Sequence, residues 1–159
     1  MKIPEGDRSG VRIFPPLVFA AALGMAFLVH WRFPAHLVPA ELLRPVRIIG
    51  AVVLLAWLAL AIWAIATFRR IGTTPNPSGG STALALQGPY RFSRNPMYLS
   101  LLLLMAGIGL AANTPWPLLM LPIVVVVLRR EVIGYEERYL TAKFGEPYRA
   151  YLARVRRWL

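Results

Sequence analysis

The sequence contains no cysteine, which excludes disulfides, thiolate metal sites and a cysteine nucleophile. With only His30, His36 and a single aspartate, Asp7, we also expect no metal centre built from histidine and aspartate. Charged residues make up only 16% of the 159 residues, and 57% of the chain is hydrophobic. Because soluble domains carry about 25% charged and about 45–50% apolar residues, this composition indicates a protein largely covered by lipid.

Acidic residues are also scarce: seven Asp and Glu face eighteen Lys and Arg, for a net charge of +11. A strongly basic chain suits either nucleic acid or an anionic membrane surface. The mean hydropathy of +0.55 favours the membrane. We therefore expect the lipid bilayer as a partner, and no nucleic acid.

Long apolar runs with at most one charged residue define the predicted fold. Residues 14–31 and 46–68 are each long enough for a helix that crosses a hydrocarbon core of about 30 Å. The run 97–128 is too long for one ordinary helix, and Pro115 and Pro117 interrupt it because proline blocks helix continuation. The sequence thus predicts an all-α integral membrane protein with about four transmembrane helices, the last two forming a short hairpin at about 97–112 and 116–129.

The distribution of basic residues predicts the orientation. With four spans, 15 of the 18 Lys and Arg fall on one side, in the two terminal segments and the loop between the second and third spans. The positive-inside bias places these segments in the cytoplasm, consistent with an inner-membrane protein. Glu5, Asp7 and Pro15 argue against a cleaved signal peptide, so we expect the first run to be retained.

Two glycines in the third run, Gly107 and Gly109, match the spacing of a dinucleotide-binding fingerprint. That fingerprint functions only after a β-strand, whereas these glycines lie in an apolar helix. Small residues there allow close helix packing, either within one chain or between copies, so the oligomeric state stays open.

The loop 72–98 is rich in proline and glycine, and it ends in a dense group of aromatic and basic residues. Asn95 and Pro96 predict an N-cap followed by proline at the first helical position. Tyr90, Arg94 and Tyr98 surround this helix N-terminus, where free N–H groups favour an anion. Simple anchoring at the membrane interface is the alternative for such a group.

The C-terminal segment 129–159 predicts amphipathic cytoplasmic helices separated at Gly145. Glu136 falls near the centre of the apolar arc, where a carboxylate is costly without a cationic neighbour. That neighbour is either a cation of the chain, namely Arg129, Arg130 or Lys143, or a cationic ligand. The adjacent Glu137 is predicted to be a solvated helix charge.

The motifs GPYRFSRNPMY at 88–98 and YEERYLTAKFGEPYRAY at 135–151, separated by an apolar hairpin, occur in a recognisable order. Over about residues 82–158 the chain resembles the isoprenylcysteine carboxyl methyltransferase and phospholipid methyltransferase family of integral membrane enzymes. One departure is that the family's histidine before the proline is Asn95 here, and asparagine cannot act as a base.

The resemblance implies a single methyltransferase domain over 1–159 that binds S-adenosylmethionine at the cytoplasmic membrane face. It places Glu136, as a catalytic residue and substrate contact, where cofactor and acceptor meet. From the residues themselves we add a catalytic role for Arg94, beside the helix N-terminus that suits the carboxylate of the cofactor, and a substrate contact for Arg130. The implied cofactor-binding residues lie in the loop 72–98 and are Thr82, Ala83, Leu84, Ala85, Tyr90, Asn95, Pro96, Met97 and Tyr98.

The acceptor stays open among a prenylcysteine-like carboxylate, a phospholipid amine and a small hydrophobic nucleophile. A sterol-type membrane reductase that uses NADPH resembles the same C-terminal architecture and is the second possibility. A basic membrane adaptor without catalytic activity is the third.

Overall fold

The computed structural model describes residue 11 and residues 13–72 and 82–159. Every regular element in these residues is helical, as the sequence predicts. The predicted loop 72–98 is described only in part, because residues 73–81 lie outside the described ranges. The six α-helices are α1 (Pro15–Arg32), α2 (Leu43–Ile71), α3 (Pro96–Ala111), α4 (Trp116–Leu128), α5 (Gly134–Phe144) and α6 (Glu146–Arg154).

Helices α1 and α2 are long and apolar enough to cross a bilayer. Helix α1 covers the predicted span 14–31 except Phe14, which is its N-cap, and α2 contains the span 46–68. Helix α2 is longer than the apolar run and also includes Arg44, Arg69 and Arg70. Helices α3 and α4 have 16 and 13 residues, close to the predicted hairpin. They are shorter than the about 20 residues of a standard span, so two candidate spans are observed and the count of four stays a prediction.

Close backbone contact joins α2 to α3. A Cβ atom added to Gly50 would lie 2.8 Å from the amide nitrogen of Ala111, and one added to Gly107 would lie 2.7 Å from Cγ of Leu54. Glycine at these two positions therefore lets the helices approach. Gly107 packs within one chain, and Gly109 faces the turn that leads into α4.

The loop between α1 and α2 is fixed to the turn between α3 and α4. Asn113 has a left-handed backbone with a φ of 52°. Its Oδ1 accepts the amide of Val38 at 3.1 Å, and its Nδ2 donates to the carbonyl of Val38 at 3.0 Å. These bonds close one end of the helix bundle, opposite the end where α3 begins.

The chain continues from α4 into α5 through a π-helical turn, Arg129–Ile133. This turn directs Val132 and Ile133 into the buried core with Phe19, Met105 and Leu128. Gly145, with a φ of 60°, separates α5 from α6, where the sequence predicts a break. The C-terminal segment thereby returns to the beginning of α3.

Candidate active site

A cavity of about 400 Å³ lies where α3 begins, between the loop 83–86, α1, α5 and α6. Ligand pockets in proteins commonly enclose about 300–1,000 Å³, so the space suits a small molecule. Its walls are mostly apolar and aromatic, with one acidic and one cationic residue among them. The residues that line it are Phe14, Pro15, Pro16, Phe68, Ala83, Leu84, Ala85, Leu86, Tyr90, Arg94, Asn95, Met97, Tyr98, Leu101, Glu136, Tyr139, Leu140, Tyr148 and Tyr151.

Glu136 is the acid in this cavity. Helix α5 presents it towards α3, where its Oε1 accepts a hydrogen bond from the hydroxyl of Tyr98 at 2.8 Å. Burial raises the pKa of Glu136 to about 7, against the lowering effect of the Tyr98 hydrogen bond. The carboxyl group therefore keeps its proton to a much higher pH than an exposed glutamate, and a cation in the cavity would favour its charged form.

Arg94 is the cationic residue of the cavity, and its guanidinium already forms an ion pair. Its Nη1 lies 3.3 Å from Oε1 of Glu137, which also accepts two hydrogen bonds from the guanidinium of Arg157. The prediction that Glu137 is solvated is wrong, since its side chain is only 17% exposed. The hydrogen bond to Glu137 raises the pKa of Arg157.

The guanidinium of Arg94 retains one donor without a partner. Among the described residues, its Nε is buried and makes no hydrogen bond. Buried polar groups in native proteins are nearly always satisfied, so an orphan donor points to a missing acceptor.

Asn95 is at the N-cap position of α3, but its side chain does not cap the helix. Its Nδ2 donates instead to the carbonyl of Arg157 at 2.9 Å, while the hydroxyl of Ser93 accepts the amide of Asn95 at 3.1 Å. The predicted side-chain cap is therefore wrong, because the side-chain amide of Asn95 is hydrogen-bonded to the C-terminal segment instead of to the first turn of α3.

Tyr90 forms the part of the cavity wall next to α2. It lies in the short 3₁₀ turn Gly88–Arg91, its ring centroid is 5.2 Å from that of Phe68, and its carbonyl accepts the hydroxyl of Tyr151 at 2.7 Å. Gly88 makes this turn possible, because it has a φ of 59° and a Cβ there would clash with Oγ1 of Thr67. Burial raises the pKa of Tyr90, so its hydroxyl is neutral at physiological pH.

A family model described as phospholipid methyltransferase matches residues 46–147, from α2 to the start of α6. The chain belongs to the phospholipid methyltransferase family. An uncharacterized protein of Haemophilus influenzae (strain ATCC 51907 / DSM 11121 / KW20 / Rd) is 43% identical to it over 63 residues, which are 40% of this chain and all of that protein. No solved structure matches the chain.

Family membership indicates a methyltransferase, and together with the apolar helices α1 and α2 it indicates a membrane protein. In this methyltransferase, most of the residues selected from the sequence meet at one cavity. Those that line it are Ala83, Leu84, Ala85, Tyr90, Arg94, Asn95, Met97, Tyr98 and Glu136.

Three of the selected residues lie elsewhere. Thr82 is exposed, and its hydroxyl donates to the carbonyl of Gly72 at 3.2 Å. Pro96 is buried in the first turn of α3 and does not line the cavity. Arg130 is exposed on the π-helical turn, which directs Val132 and Ile133 inward instead.

Sequence reasoning overlooked the tyrosines of the C-terminal helices. Tyr139, Tyr148 and Tyr151 all line the cavity of the methyltransferase. The periodicity of α6 marks Tyr148 and Tyr151 as one apolar face, which is equally typical of an interfacial helix. Their hydroxyl groups were the available signal, since a buried tyrosine usually finds a polar partner.

Proposed function

We propose that the protein transfers a methyl group from S-adenosylmethionine to a lipophilic acceptor at the cytoplasmic face of the membrane. The observation that carries this proposal is the carboxyl group of Glu136 against the hydroxyl of Tyr98, in a cavity walled mostly by aromatic and apolar side chains. A carboxylate in such surroundings attracts a cation strongly, because little water competes for it.

The residues present fit two of the charged groups of S-adenosylmethionine, the sulfonium and the carboxylate. Glu136 and the faces of Tyr90 and Tyr98 suit a positively charged sulfonium, by charge and by cation–π attraction. Arg94, with its orphan Nε, suits the carboxylate of the amino-acid part. The N-terminus of α3 beside Arg94 adds further attraction for an anion.

S-adenosylmethionine would supply an activated methyl group, so the protein's main contribution is alignment and electrostatics. Glu136 stabilises positive charge in the cavity, and Arg94 fixes an anionic group at the beginning of α3. The apolar walls from Leu101 and Leu140 exclude water and suit a lipid-like acceptor.

The acceptor class determines whether Glu136 also moves a proton. A carboxylate acceptor is ionised at pH 7 and needs no base. An ammonium acceptor must first lose a proton, and Glu136, with a pKa of about 7, is suited to accept it. Prenylcysteine-like carboxylates, phospholipid amines and small hydrophobic nucleophiles therefore all enter the test.

The test is transfer of labelled methyl groups from S-adenosylmethionine into the lipid-soluble fraction, with purified protein in vesicles made from a bacterial lipid extract. We expect label in the product, and a loss of about 100-fold in kcat/KM for S-adenosylmethionine in Glu136→Gln, because the variant loses the buried charge that attracts the cationic methyl donor. The matched control is Glu146→Gln, because the side chain of Glu146 is 79% exposed.

Three outcomes would count against the proposal. Full activity of Glu136→Gln would remove the role of that residue, provided that its thermal unfolding matches wild type. Calorimetry that shows binding of NADPH but not of S-adenosylhomocysteine would favour a reductase, and binding of neither would favour the adaptor.

A further inference from the structure

The last residues of the chain are bonded to the turn that precedes α3. The amide of Arg94 donates to the carbonyl of Arg156 at 3.0 Å. The carbonyl of Arg157 accepts Nδ2 of Asn95 at 2.9 Å and the hydroxyl of Ser93 at 3.3 Å. Three consecutive residues of this turn, Ser93, Arg94 and Asn95, therefore donate hydrogen bonds to the C-terminal segment.

Side-chain charges connect the same two segments. The carboxylate of Glu137, on α5, binds Arg94 on one side and both Nε and Nη2 of Arg157 on the other. A two-point contact of this kind fixes the orientation of the carboxylate as well as its position. The side chains of Arg94, Glu137 and Arg157 are 15%, 17% and 31% exposed, so water screens them less than a surface pair.

Only one member of this triad reaches the cavity. Arg94 lines it, whereas Glu137 and Arg157 do not. Two guanidinium groups and one carboxylate leave one net positive charge, and the buried Nε of Arg94 is the donor in the triad without a partner among the described residues. An anion bound in the cavity would neutralise this positive charge and would accept a hydrogen bond from Nε of Arg94.

We propose that Glu137 and Arg157 are positioning residues, which hold the guanidinium of Arg94 in place for the carboxylate of the methyl donor. This inference rests on the proposed function. Arginine carries much rotamer freedom, and an anchored guanidinium loses less of it when a ligand binds. Trp158 packs against the buried core and anchors the segment on the far side of Arg157.

The alternative is that the triad only closes this end of the helix bundle. A closing contact would change stability, and a loss of folded protein would lower kcat and leave KM unchanged. A positioning contact would raise KM for S-adenosylmethionine while kcat for the folded protein is preserved. The two roles are therefore separable by steady-state kinetics together with thermal unfolding.

The experiment compares Arg157→Ala, Arg157→Lys, Glu137→Ala and the double variant Glu137→Ala/Arg157→Ala with wild type. We expect Arg157→Ala to raise KM for S-adenosylmethionine about tenfold, as expected for loss of hydrogen bonds to a charged group. Arg157→Lys should recover part of this loss. The double variant should match Glu137→Ala, because Arg157 acts through Glu137.

Arg154→Ala is the matched control, since Arg154 is exposed and its Nε donates within α6, to the carbonyl of Ala150. Hydrogen exchange without cofactor gives a second measurement. The backbone amide of Arg94 donates to the carbonyl of Arg156, next to the substituted residue. The peptide that contains Arg94 should therefore exchange faster in Arg157→Ala than in wild type.

A KM for Arg157→Ala within twofold of wild type, or an equal change in Arg154→Ala, overturns the inference. Additive effects in the double variant overturn it as well. If wild type binds no S-adenosylhomocysteine, the proposed function fails and the positioning role fails with it. If wild type binds it and Arg157→Ala binds it equally well, only the positioning role fails.

Discussion

The ionisation of Glu136 depends on neighbours that act in opposite directions. Burial is the largest influence and raises its pKa, the hydroxyl of Tyr98 stabilises the charged form, and the charge of Glu137 opposes it. The result, a pKa of about 7, makes this carboxyl responsive to any charge that enters the cavity. A cationic ligand should therefore release a proton on binding near neutral pH, and a neutral analogue should not.

Glu136 should also give the apoprotein a pH-dependent stability. Between its ordinary value of 4.5 and about 7, the folded state keeps a proton that the unfolded chain has lost. The contribution of Glu136 to the free energy of unfolding is thus fully present below pH 4.5, falls as pH rises through that window and stays low above it. Glu136→Gln removes this titration, so the variant should gain up to about 3 kcal/mol relative to wild type between pH 4.5 and pH 8.

Thermal unfolding in detergent at several pH values measures this difference. The exposed control Glu146→Gln should show an almost constant difference from wild type over the same range. A constant difference for Glu136→Gln would contradict the raised pKa.

Helix periodicity predicts the buried environment of the Glu136 side chain correctly, but not that of the Glu137 side chain. An acid in the middle of an apolar arc has to face the interior, and Glu136 lines the cavity. Glu137 and Asn95 could not be assigned in this way, because their partner Arg157 lies 20 and 62 residues away in sequence. Helix periodicity gives the direction of a side chain, but not which distant segment covers it.

At the scale of elements, the sequence marks helix ends more reliably than helix extents. Proline and glycine positions predicted the start of α3, the α3–α4 turn and the break before α6, since those residues restrict or free the backbone directly. The length of α2 was underestimated, because the helix continues through arginines beyond the apolar run. The π-helical turn Arg129–Ile133 has no local signal and follows from packing against the core.

The close contact between α2 and α3 predicts that a methyl group added at Gly50 lowers the stability of the protein. In Gly50→Ala the new Cβ would meet the backbone nitrogen of Ala111 at 2.8 Å, which can be relieved only if the helices separate. We expect a loss of about 1–3 kcal/mol in the free energy of unfolding, as for other overpacked interfaces. A lowered Tm in detergent measures it.

Gly24→Ala is the matched control, because a methyl group added to Gly24 in α1 would have no atom within 4 Å among the described residues. Alanine favours a helix over glycine, so this variant should be unchanged or more stable. Equal effects of both substitutions would show that the α2–α3 contact is not the cause.

At the scale of the whole molecule, the cavity and most exposed arginines lie at the same end of the helix bundle. Arg91, Arg129, Arg149, Arg154 and Arg156 are exposed there, near the beginning of α3 and the C-terminal helices. The opposite end consists of the α1–α2 loop and the α3–α4 turn. The positive-inside bias therefore supports the proposed cytoplasmic position of the cavity.

The absence of native cysteine makes this orientation directly testable with single cysteines. Ala40, beside the α1–α2 loop, and Ala150, on α6, are both exposed and lie at opposite ends of the bundle. In intact cells a membrane-impermeant maleimide should label Ala40→Cys and leave Ala150→Cys unlabelled until the inner membrane is permeabilised. Both variants should react fully in detergent, which controls for access to each thiol. Labelling of Ala150→Cys in intact cells would place the cavity outside the cytoplasm, where S-adenosylmethionine made by the cell could not reach it.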